Sequence, residues 1–512
     1  MKLNVLLVAL ILCACAKNPS TGHVDLVFMT EEEEYEKGHE VARRHIKAHG
    51  LYKENKDLTK YYQTIARQIV DVSERPEAPY EFIMLDSESV NAWAIPGYIN
   101  VNRGLLPFLN NESELVAAMG HEAGHITGRH MVRSDVGRKT GHALLAVGAT
   151  LVGMNTDDIG LGVAVAATGY FALDAGIAKN SRYHEKEADR SAMHYMELMG
   201  YDPREAVGMY DAFELNNQLH ETIYKYFNDG EKMPEPDFYS LLAGHPEPKA
   251  RIKMVEDMSG KLIKGHEATN RNRYLNMIDG MAFGPSFRQY GVAGERNIYS
   301  QAKRFKFTLP KGFLTMNYGG VWRSYNNVYQ AQASLKRKRI SKGQDPEEAL
   351  RILYPKMRQL QEMDVNGYSV YTGTRTWYEP SLWGKHENKG VERIFGFKVQ
   401  NDEDKNKSGG DFYLLSFLTP IEHFDTLDAQ FFESAESMMR LPHEKADKIQ
   451  PLRLKVTNIK QGDTVQSLAQ KLPFGDLKVE WLRAINGLAV DEKLIPGRQI
   501  KLVVDPNLVL FK

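Results

Sequence analysis

The clearest pattern of apolar and polar positions lies at residues 111–127. Asn111 and Glu114 suit the N-cap and the first turn of a helix, and the apolar run Leu115 to Met119 follows them. An N-cap asparagine accepts a hydrogen bond from a first-turn N–H, and glutamate three residues later is typical of a capping box. The helix places His121 and His125 on one face, since residues four apart lie about 40° apart around the axis.

The patterns before this helix predict two more helices and some β-structure. Thr30, followed by an acidic run, caps a helix, and a second helix is expected at about 55–73. Tyr80 to Leu85 alternates as a strand does, and residues 91–102 form a β-segment that bends at Pro96-Gly97. We expect both helices to pack around the helix with the two histidines.

The N-terminus carries an apolar run, Val5 to Leu12, that is too short to span a membrane and predicts a signal peptide over residues 1–15. The sequence Leu12-Cys13-Ala14-Cys15 resembles a bacterial lipobox. Small Ala14 before Cys15 makes Cys15 the lipidated residue that starts the mature chain. A plain secretory signal is the alternative. Residues 16–29 follow as a tether, and alanine at position 16 implies sorting to the outer membrane.

A second apolar region, rich in Gly, Ala and Val, lies at 142–174. Its apolar runs, about 143–154 and 159–173, are shorter than the ~20 residues that a spanning helix needs, and Asn155 to Asp158 separates them. We predict a glycine-hinged helical flap over a cleft. Core helices are an equally good interpretation.

Length and charge narrow the possible functions. The chain has 512 residues, which predicts two to four domains, and it balances 65 Lys+Arg against 66 Asp+Glu. We find no basic stripe with interleaved aromatic residues, so nothing argues for a nucleic-acid partner. The two cysteines are Cys13 and Cys15, so a mature chain that starts at Cys15 has no second cysteine with which to form a disulfide.

The chemistry of the chain centres on the motif His121-Glu122-x-x-His125. Two imidazoles on one helical face can bind one Zn²⁺, and Glu122 is placed to take a proton from a water that the metal activates. A third protein ligand is required. His130 is one residue short of the position that a metzincin histidine would take, so it is interpreted as a polar-face or second-shell histidine. Two ordinary helix histidines remain the alternative to a zinc site.

A better third ligand lies downstream, in the segment 181–189. Glu185 and Asp189 are four residues apart and share a helical face. Glu185 can therefore bind the metal while Asp189 orients a ligand histidine.

The motifs H-E-x-x-H and S-R-x-x-E-x-x-A-D together make the chain resemble a family of zinc metallopeptidases. The family includes the CAAX prenyl endopeptidases, the HtpX-type peptidases and the periplasmic barrel-assembly-enhancing proteases. The segments Asn91 to Val101 and His245 to Ile252 also match it. The resemblance covers about residues 20–300. It implies Glu185, not Glu187, as the third ligand of one zinc ion per chain.

The same resemblance implies roles for other residues. It predicts that His245 can occupy the open metal position as a self-inhibitory switch, and that Arg251 stabilises the oxyanion or the cleft. It also implies an edge strand, with Asn91 to Ala94 as the candidate, that holds the substrate in extended form. An ordinary sheet strand is the alternative.

The expected fold is multidomain. A mainly α-helical metallopeptidase domain of the gluzincin type, with a small β-sheet, spans 30–297. An α+β domain without a catalytic motif spans 298–449, with helices near 331–342, 346–361 and 427–440. Residues 450–512 order as strand, helix, helix, strand and resemble a LysM module, which implies binding of N-acetylglucosamine-containing glycans. A docking module without a ligand is the alternative.

These observations predict a zinc-dependent endopeptidase of the bacterial cell envelope. We expect a periplasmic protein that is lipid-anchored at the outer membrane. The family resemblance implies that it acts in quality control of periplasmic or outer-membrane proteins. Its partners would be protein or peptide substrates, the membrane through the lipid on Cys15, and peptidoglycan through the C-terminal module. An outer-membrane chaperone or scaffold and a peptidoglycan-associated binding lipoprotein are the alternatives.

Overall fold

The computed structural model describes residues 15–510 with gaps. The gaps are residues 18, 20–21, 23, 27–28, 135–181, 228–247, 260–267, 285–291, 294–295, 302–303, 319–320, 327, 341–343, 380–387 and 400–409. The chain divides into two compact units: one of residues 1–217, 236–279 and 485–487, the other of 218–235, 280–484 and 488–512. The domain limits given above remain predictions, and the expected signal peptide, flap and His245 lie outside the described residues.

The first unit is mainly helical. A short antiparallel pair, β1 (Cys15–Lys17) and β2 (Val24–Leu26), precedes it. The helices are α1 (Glu31–His49), α2 (Lys56–Asp71), α3 (Glu112–Thr127), α4 (182–198), the first part of α5 (Ala206–Phe227), α6 (Pro248–Ser259) and α7 (Arg271–Ile278). Short 3-10 turns lie at Arg103–Phe108 and Pro203–Glu205. The predicted capping box of α1, formed by Thr30 and Glu33, is confirmed.

Helix α3 is the central element of this unit. Its side chains are buried nearly all around, which is the property of a core helix rather than a surface helix. Asn111 caps it as predicted, and its Oδ1 accepts from the Glu114 N–H at 2.8 Å. The buried Glu112 carboxylate accepts from the Tyr201 hydroxyl at 2.6 Å and from Asn270 Nδ2 at 2.7 Å. A carboxylate in the first turn also suits the helix dipole.

A three-stranded sheet lies beside α3. It contains β3 (Glu81–Leu85), β4 (Ala92–Ile95) and β5 (Tyr98–Asn102) in the order β3-β5-β4. Strand β5 is parallel to β3 and antiparallel to β4, with the turn at Pro96-Gly97 where the bend was predicted. Gly97 has φ +84°, a conformation that glycine adopts without strain. Strand β4 is therefore one of the two edge strands of this sheet.

The second unit contains a seven-stranded antiparallel sheet and two helices that pack on it. The elements are β10 (Leu314–Tyr318), β11 (Val321–Asn326), β12 (Ala331–Ile340), α8 (Pro346–Leu353), β13 (Arg358–Val365), β14 (Tyr368–Glu379), β15 (Asn388–Val399), β16 (Gly410–Pro420) and α9 (Ile421–Glu436). The strand order in the sheet is β10-β11-β12-β16-β15-β14-β13. Leu350 of α8 packs on one face, against Ile394 and Phe412, and Phe431 of α9 packs in the core on the opposite face.

Smaller elements complete the second unit. Five short strands lie before or after the strands of the large sheet in the sequence: β6 (Ala282–Phe283), β7 (Val292–Ala293), β8 (Asn297–Ser300), β9 (Phe305–Thr308) and β17 (Met439–Arg440). Four of them form a second sheet in the order β17-β9-β8-β7. The C-terminal part runs α10 (His443–Ala446), β18 (Leu452–Asn458), α11 (Val465–Ala469), α12 (Lys478–Asn486) and β19 (Gln499–Val504). The predicted order of strand, helix, helix and strand is confirmed here. Strand β18 also pairs with β6.

The helix predicted at 331–342 is wrong, because the segment forms β12. Ala331, Ala333 and Leu335 are buried on one side of the strand, with Gln332 exposed between them. This alternation is typical of a strand, and pairing of β12 with both β11 and β16 satisfies its backbone. The charged residues that suggested a helix form the end of the strand.

The helix predicted at 346–361 is correct only for its first half. Asp345 caps α8 and Pro346 occupies its first turn, but α8 ends at Leu353. Tyr354 precedes Pro355, and a residue before proline is disfavoured in the helical conformation. The chain then forms β13.

Within the described residues, no helix combines the length and the apolar character needed to cross a membrane.

Candidate metal centre and cleft

Three predicted side chains converge where α3 meets α4. His121 Nε2 lies 3.0 Å from His125 Nε2 and 3.4 Å from Glu185 Oε2, and His125 Nε2 lies 3.5 Å from Glu185 Oε1. One ligand atom from each residue lies within 4.8 Å of the others. Ligands about 2.0–2.2 Å from a tetrahedral zinc ion are about 3.3 Å apart, so these three atoms fit one zinc ion.

Small residues bring α3 and α4 close enough for this convergence. A Cβ placed on Gly124 would meet the Ala188 Cα at 2.9 Å, and one on Gly120 would meet the Ala192 Cα at 3.2 Å. The two glycines and the two alanines are each four residues apart, so they line matching faces of the two helices. The close contact lets Glu185 reach the two histidines.

Asp189 and Arg251 lie behind His121. The Asp189 Oδ1 is 2.8 Å from His121 Nδ1, and the Arg251 Nε donates to Asp189 Oδ2 at 2.9 Å. The Tyr210 hydroxyl also donates to Asp189. Burial alone raises the pKa of Asp189, but the bonds from His121 and Arg251 outweigh it and hold that pKa well below its usual range. Asp189 is therefore a carboxylate that fixes the His121 ring.

Arg251 contacts two carboxylates at once. Its Nη1 lies 3.0 Å from Glu185 Oε2, and its side chain is only 7% exposed. Two roles were predicted for Arg251, one at the oxyanion and one in the cleft. Among the described residues that line the cavity, Arg251 does not occur. Its contacts hold Glu185 and Asp189 in place, and the two predicted roles remain predictions.

The same carboxylates act on His121. Burial and Arg251 lower the pKa of His121, whereas its hydrogen bonds to Asp189 and Glu185 raise it, to about 9 in total. The two carboxylates thus favour positive charge on this imidazole.

A cavity of about 260 Å³ opens beside the three converging side chains. Glu122 lines it together with His125 and Glu185, and Trp93, Ala94 and Ile95 of the edge strand form another part of its wall. Glu122 is buried, with 5% exposure. The predicted general base and the predicted substrate strand therefore line one cleft.

His130 lies close to His125. The sequence left open whether His130 lies on the polar face of the helix or next to a metal ligand, and in the structure α3 ends at Thr127 and Arg129 has φ +51°. The chain turns back, and the Nδ1 atoms of His130 and His125 are 2.8 Å apart. Of the two readings left open, the position next to a ligand candidate is the one observed.

Residues 55–259 match the family model "Peptidase family M48". We call this segment, 205 of the 512 residues, the M48 domain because of this match. Beta-barrel assembly-enhancing protease of Escherichia coli (strain K12) is 26% identical over 210 residues, which are 40% of this chain and 39% of that protein. The protein of that name in Yersinia pestis is 24% identical over 223 residues, 43% of this chain and 42% of its own. The chain thus matches well under half the length of these curated relatives.

Two further comparisons cover a smaller share of this chain. "Putative beta-barrel assembly-enhancing protease" of Vibrio cholerae is 28% identical over 155 residues, 28% of this chain and 30% of that protein. The solution structure of cyanobacterial PsbP from Synechocystis aligns with 29% of this chain and 95% of its own, at 13% identity and a TM-score of 0.21. A score that low supports no conclusion about the fold.

Sequence reasoning missed one residue of the M48 domain's centre. Tyr210 contributes its hydroxyl to Asp189 and its ring to Arg251, whose guanidinium carbon lies 4.7 Å from the ring centroid. No motif includes Tyr210, and its contact with Asp189 depends on how α5 packs in the folded chain. His245 cannot be placed, because it lies outside the described residues.

Proposed function

We propose that this chain is a zinc-dependent endopeptidase that uses His121, His125 and Glu185 as metal ligands. The observation that carries the proposal is the convergence of these three side chains beside a cavity lined by Glu122 and an edge strand. The match to a peptidase family supports the reaction class, and the donor set of two imidazoles and one carboxylate is typical of catalytic zinc sites.

Bound zinc would supply a Lewis acid that activates water and polarises the scissile carbonyl, with a net charge of about +1 after Glu185 is counted. The protein's own groups do the rest. Glu122 takes a proton from the attacking water and passes it to the leaving amine. Asp189 and Arg251 fix the orientation of His121 and Glu185, and β4 aligns the substrate in extended form.

We further propose a location in the bacterial cell envelope, with the lipid on Cys15 as the outer-membrane anchor. The apolar run with a lipobox-like end supports it, as does the similarity to proteins named barrel-assembly-enhancing proteases. Protein quality control in the periplasm or outer membrane follows as the proposed role. His245 is proposed as a self-inhibitory residue at the metal.

The C-terminal part supports a second proposal, glycan binding by a LysM-like module at 450–512. Its order of β18, α11, α12 and β19, with the two strands paired antiparallel, agrees with that fold. Pelleting of the full chain with purified peptidoglycan tests it. Val490 and Ile495 are exposed near the turns of the module, so Val490→Asp with Ile495→Asp should reduce pelleting while Val328→Asp, exposed elsewhere, should not.

The deciding experiment measures zinc content and casein cleavage for the wild type, Glu122→Gln and His245→Ala. We expect about one zinc per chain in each, cleavage lost in Glu122→Gln, and cleavage equal or higher in His245→Ala. Zinc with undiminished cleavage in Glu122→Gln would remove Glu122 from its role. Zinc without cleavage in any variant would favour the chaperone or scaffold alternative, and loss of cleavage in His245→Ala would make His245 part of the catalytic machinery.

A further inference from the structure

A group of buried polar residues lies beside His125, and two of its members, His130 and His184, also line the cavity. It consists of His130, Arg133, His184 and Glu187, and the proposed mechanism uses none of them. His130 and His184 are 4% and 3% exposed, and Glu187 is 5% exposed. Burying polar rings and charged groups costs free energy unless they are hydrogen-bonded or paired, so the contacts within this group are needed to offset that cost.

The group forms a chain of polar contacts that begins at His125. His125 Nδ1 is 2.8 Å from His130 Nδ1, and His130 Nε2 is 3.5 Å from Glu187 Oε2. Arg133 Nη1 donates to both Glu187 oxygens, at 3.0 and 3.2 Å. The His184 ring stacks on the His130 ring, with centroids 4.3 Å apart and planes at 8°. These contacts fix the plane of the His130 ring.

The backbone around Gly128 is shaped for this contact. Gly128 has φ −75°, which any residue adopts, so its role is not conformational. A Cβ at this position would lie 2.4 Å from His130 Nε2 and 2.9 Å from Glu187 Oε1. Only a glycine leaves room for His130 and Glu187 to meet there.

The positions of the nitrogens determine which ones carry hydrogen. His125 Nε2 faces His121 and Glu185, so a neutral His125 that binds metal there carries its hydrogen on Nδ1. That N–H points to His130 Nδ1, which must then accept. The hydrogen of His130 is therefore on Nε2, which lies 3.5 Å from Glu187 Oε2. Each contact fixes the tautomer of the next ring.

We propose that His130 is a positioning residue that orients His125 for metal binding, with Glu187 and Arg133 holding His130. His130 contacts Nδ1 of His125 in the same way that Asp189 contacts Nδ1 of His121. It also gives Glu187, the nearby carboxylate that is not in the ligand cluster, a separate role. This proposal rests on the proposed function, because it assumes that the three converging side chains bind zinc.

The test measures zinc affinity of the full chain by competition with a chelator, together with the visible absorption of the Co²⁺-substituted protein. Loss of a group that orients a metal ligand costs about 10–100-fold in metal affinity. We expect that loss in His130→Ala, with an altered Co²⁺ spectrum. His130→Asn should recover most of both, because its Oδ1 can accept from His125 at the place of Nδ1.

Two further variants separate an effect on zinc binding from a folding defect. Glu187→Gln keeps the shape of the side chain and should also weaken zinc binding, so it decides the matter if His130→Ala does not fold. His194→Ala removes an exposed histidine of α4 and should bind zinc as the wild type does. Wild-type affinity and spectrum in both His130→Ala and Glu187→Gln would overturn this proposal alone. A wild type that binds no zinc would overturn the proposed function as well.

Discussion

Two carboxylates near the paired histidines have different surroundings. Glu185 lies between His121, His125 and the Arg251 guanidinium, which stabilises its negative charge. Glu122 follows His121 on α3 and, like Glu185, lines the cavity. A carboxylate that accepts and returns a proton must contact the substrate side, whereas a ligand must stay ionised. The two positions match these two requirements.

Glu122→Gln should leave zinc binding unchanged and lower peptidase activity by about 10²–10⁴-fold, the usual contribution of a general base. Zinc content and kcat/KM on casein-derived peptides measure the two effects. Glu40→Gln, an exposed glutamate of α1 that is 67% exposed, is the matched control and should be fully active. An equal loss in both variants would contradict the specific role of Glu122.

Tyr210→Phe should lower the free energy of unfolding by about 1.5–3 kcal/mol, since a hydrogen bond to the charged Asp189 is lost without a change in shape. Urea denaturation of the metal-free protein measures this. Tyr183→Phe is the control, because Tyr183 is 49% exposed on α4. Equal stability of wild type and Tyr210→Phe would show that Arg251 alone satisfies Asp189.

At this scale, sequence spacing predicted that His121 and His125 share one helical face and that Glu185 and Asp189 share another. The choice of Glu185 over Glu187 as the residue that meets the histidines came from the family resemblance. Tyr210 and the contact between His125 and His130 were not predictable in this way. They depend on where α5 packs and on the turn after Thr127, which are tertiary features.

Among the elements, β4 has the clearest functional geometry. The Asn102 N–H donates to the Asn91 carbonyl, so in the antiparallel register Trp93 and Ile95 pair with β5. The backbone groups of Ala92 and Ala94 then point to the free edge. An extended substrate could add there as a further strand.

Ala94→Pro should reduce kcat/KM by roughly tenfold or more while zinc content stays the same, because proline removes an N–H that faces the free edge. Proline at this position keeps the pairing with β5 intact. Ala94→Ser retains the N–H and is the control. Peptide cleavage kinetics distinguish them, and an unaffected Ala94→Pro enzyme would rule out main-chain pairing at Ala94.

Elements with a strong cap or turn signal were predictable, and those with mixed signals were not. Thr30, Asn111 and Pro96-Gly97 fixed element limits through local hydrogen bonds or backbone preference. Residues 336–339 are four consecutive cations, and charge carries no period that separates helix from strand. Strand β12 forms there because β11 and β16 pair with it, a constraint from distant residues.

On the scale of the whole chain, the second unit joins distant segments through β6. The Gly280 N–H donates to the Leu454 carbonyl at 2.9 Å, and Leu454 donates to Met281 at 2.9 Å. Phe283 packs edge-on to Trp481, with ring centroids 5.7 Å apart. The C-terminal strand, helix, helix and strand thus depend on residues near 282 for part of their core.

Phe283→Ala should destabilise this part by about 3–5 kcal/mol, the range for removing a buried phenylalanine. Phe283 is 7% exposed. Trp481 lies against it, so tryptophan fluorescence during urea denaturation should show an earlier transition. Val509→Ala, 79% exposed, is the control. An unchanged transition in Phe283→Ala would mean that the C-terminal segment is stable without β6.

The order in which the chain is made has a consequence for the centre of the M48 domain. Arg251 follows His121 by 130 positions. At a synthesis rate of about 5–20 residues per second, the guanidinium emerges on the order of ten seconds after the helix that it serves. Until then Glu185 and Asp189 have no cation to offset their burial. We expect the nascent chain to stay loosely folded around the candidate metal centre during this interval. An assembled peptidase site would then form only when synthesis of the domain is nearly complete.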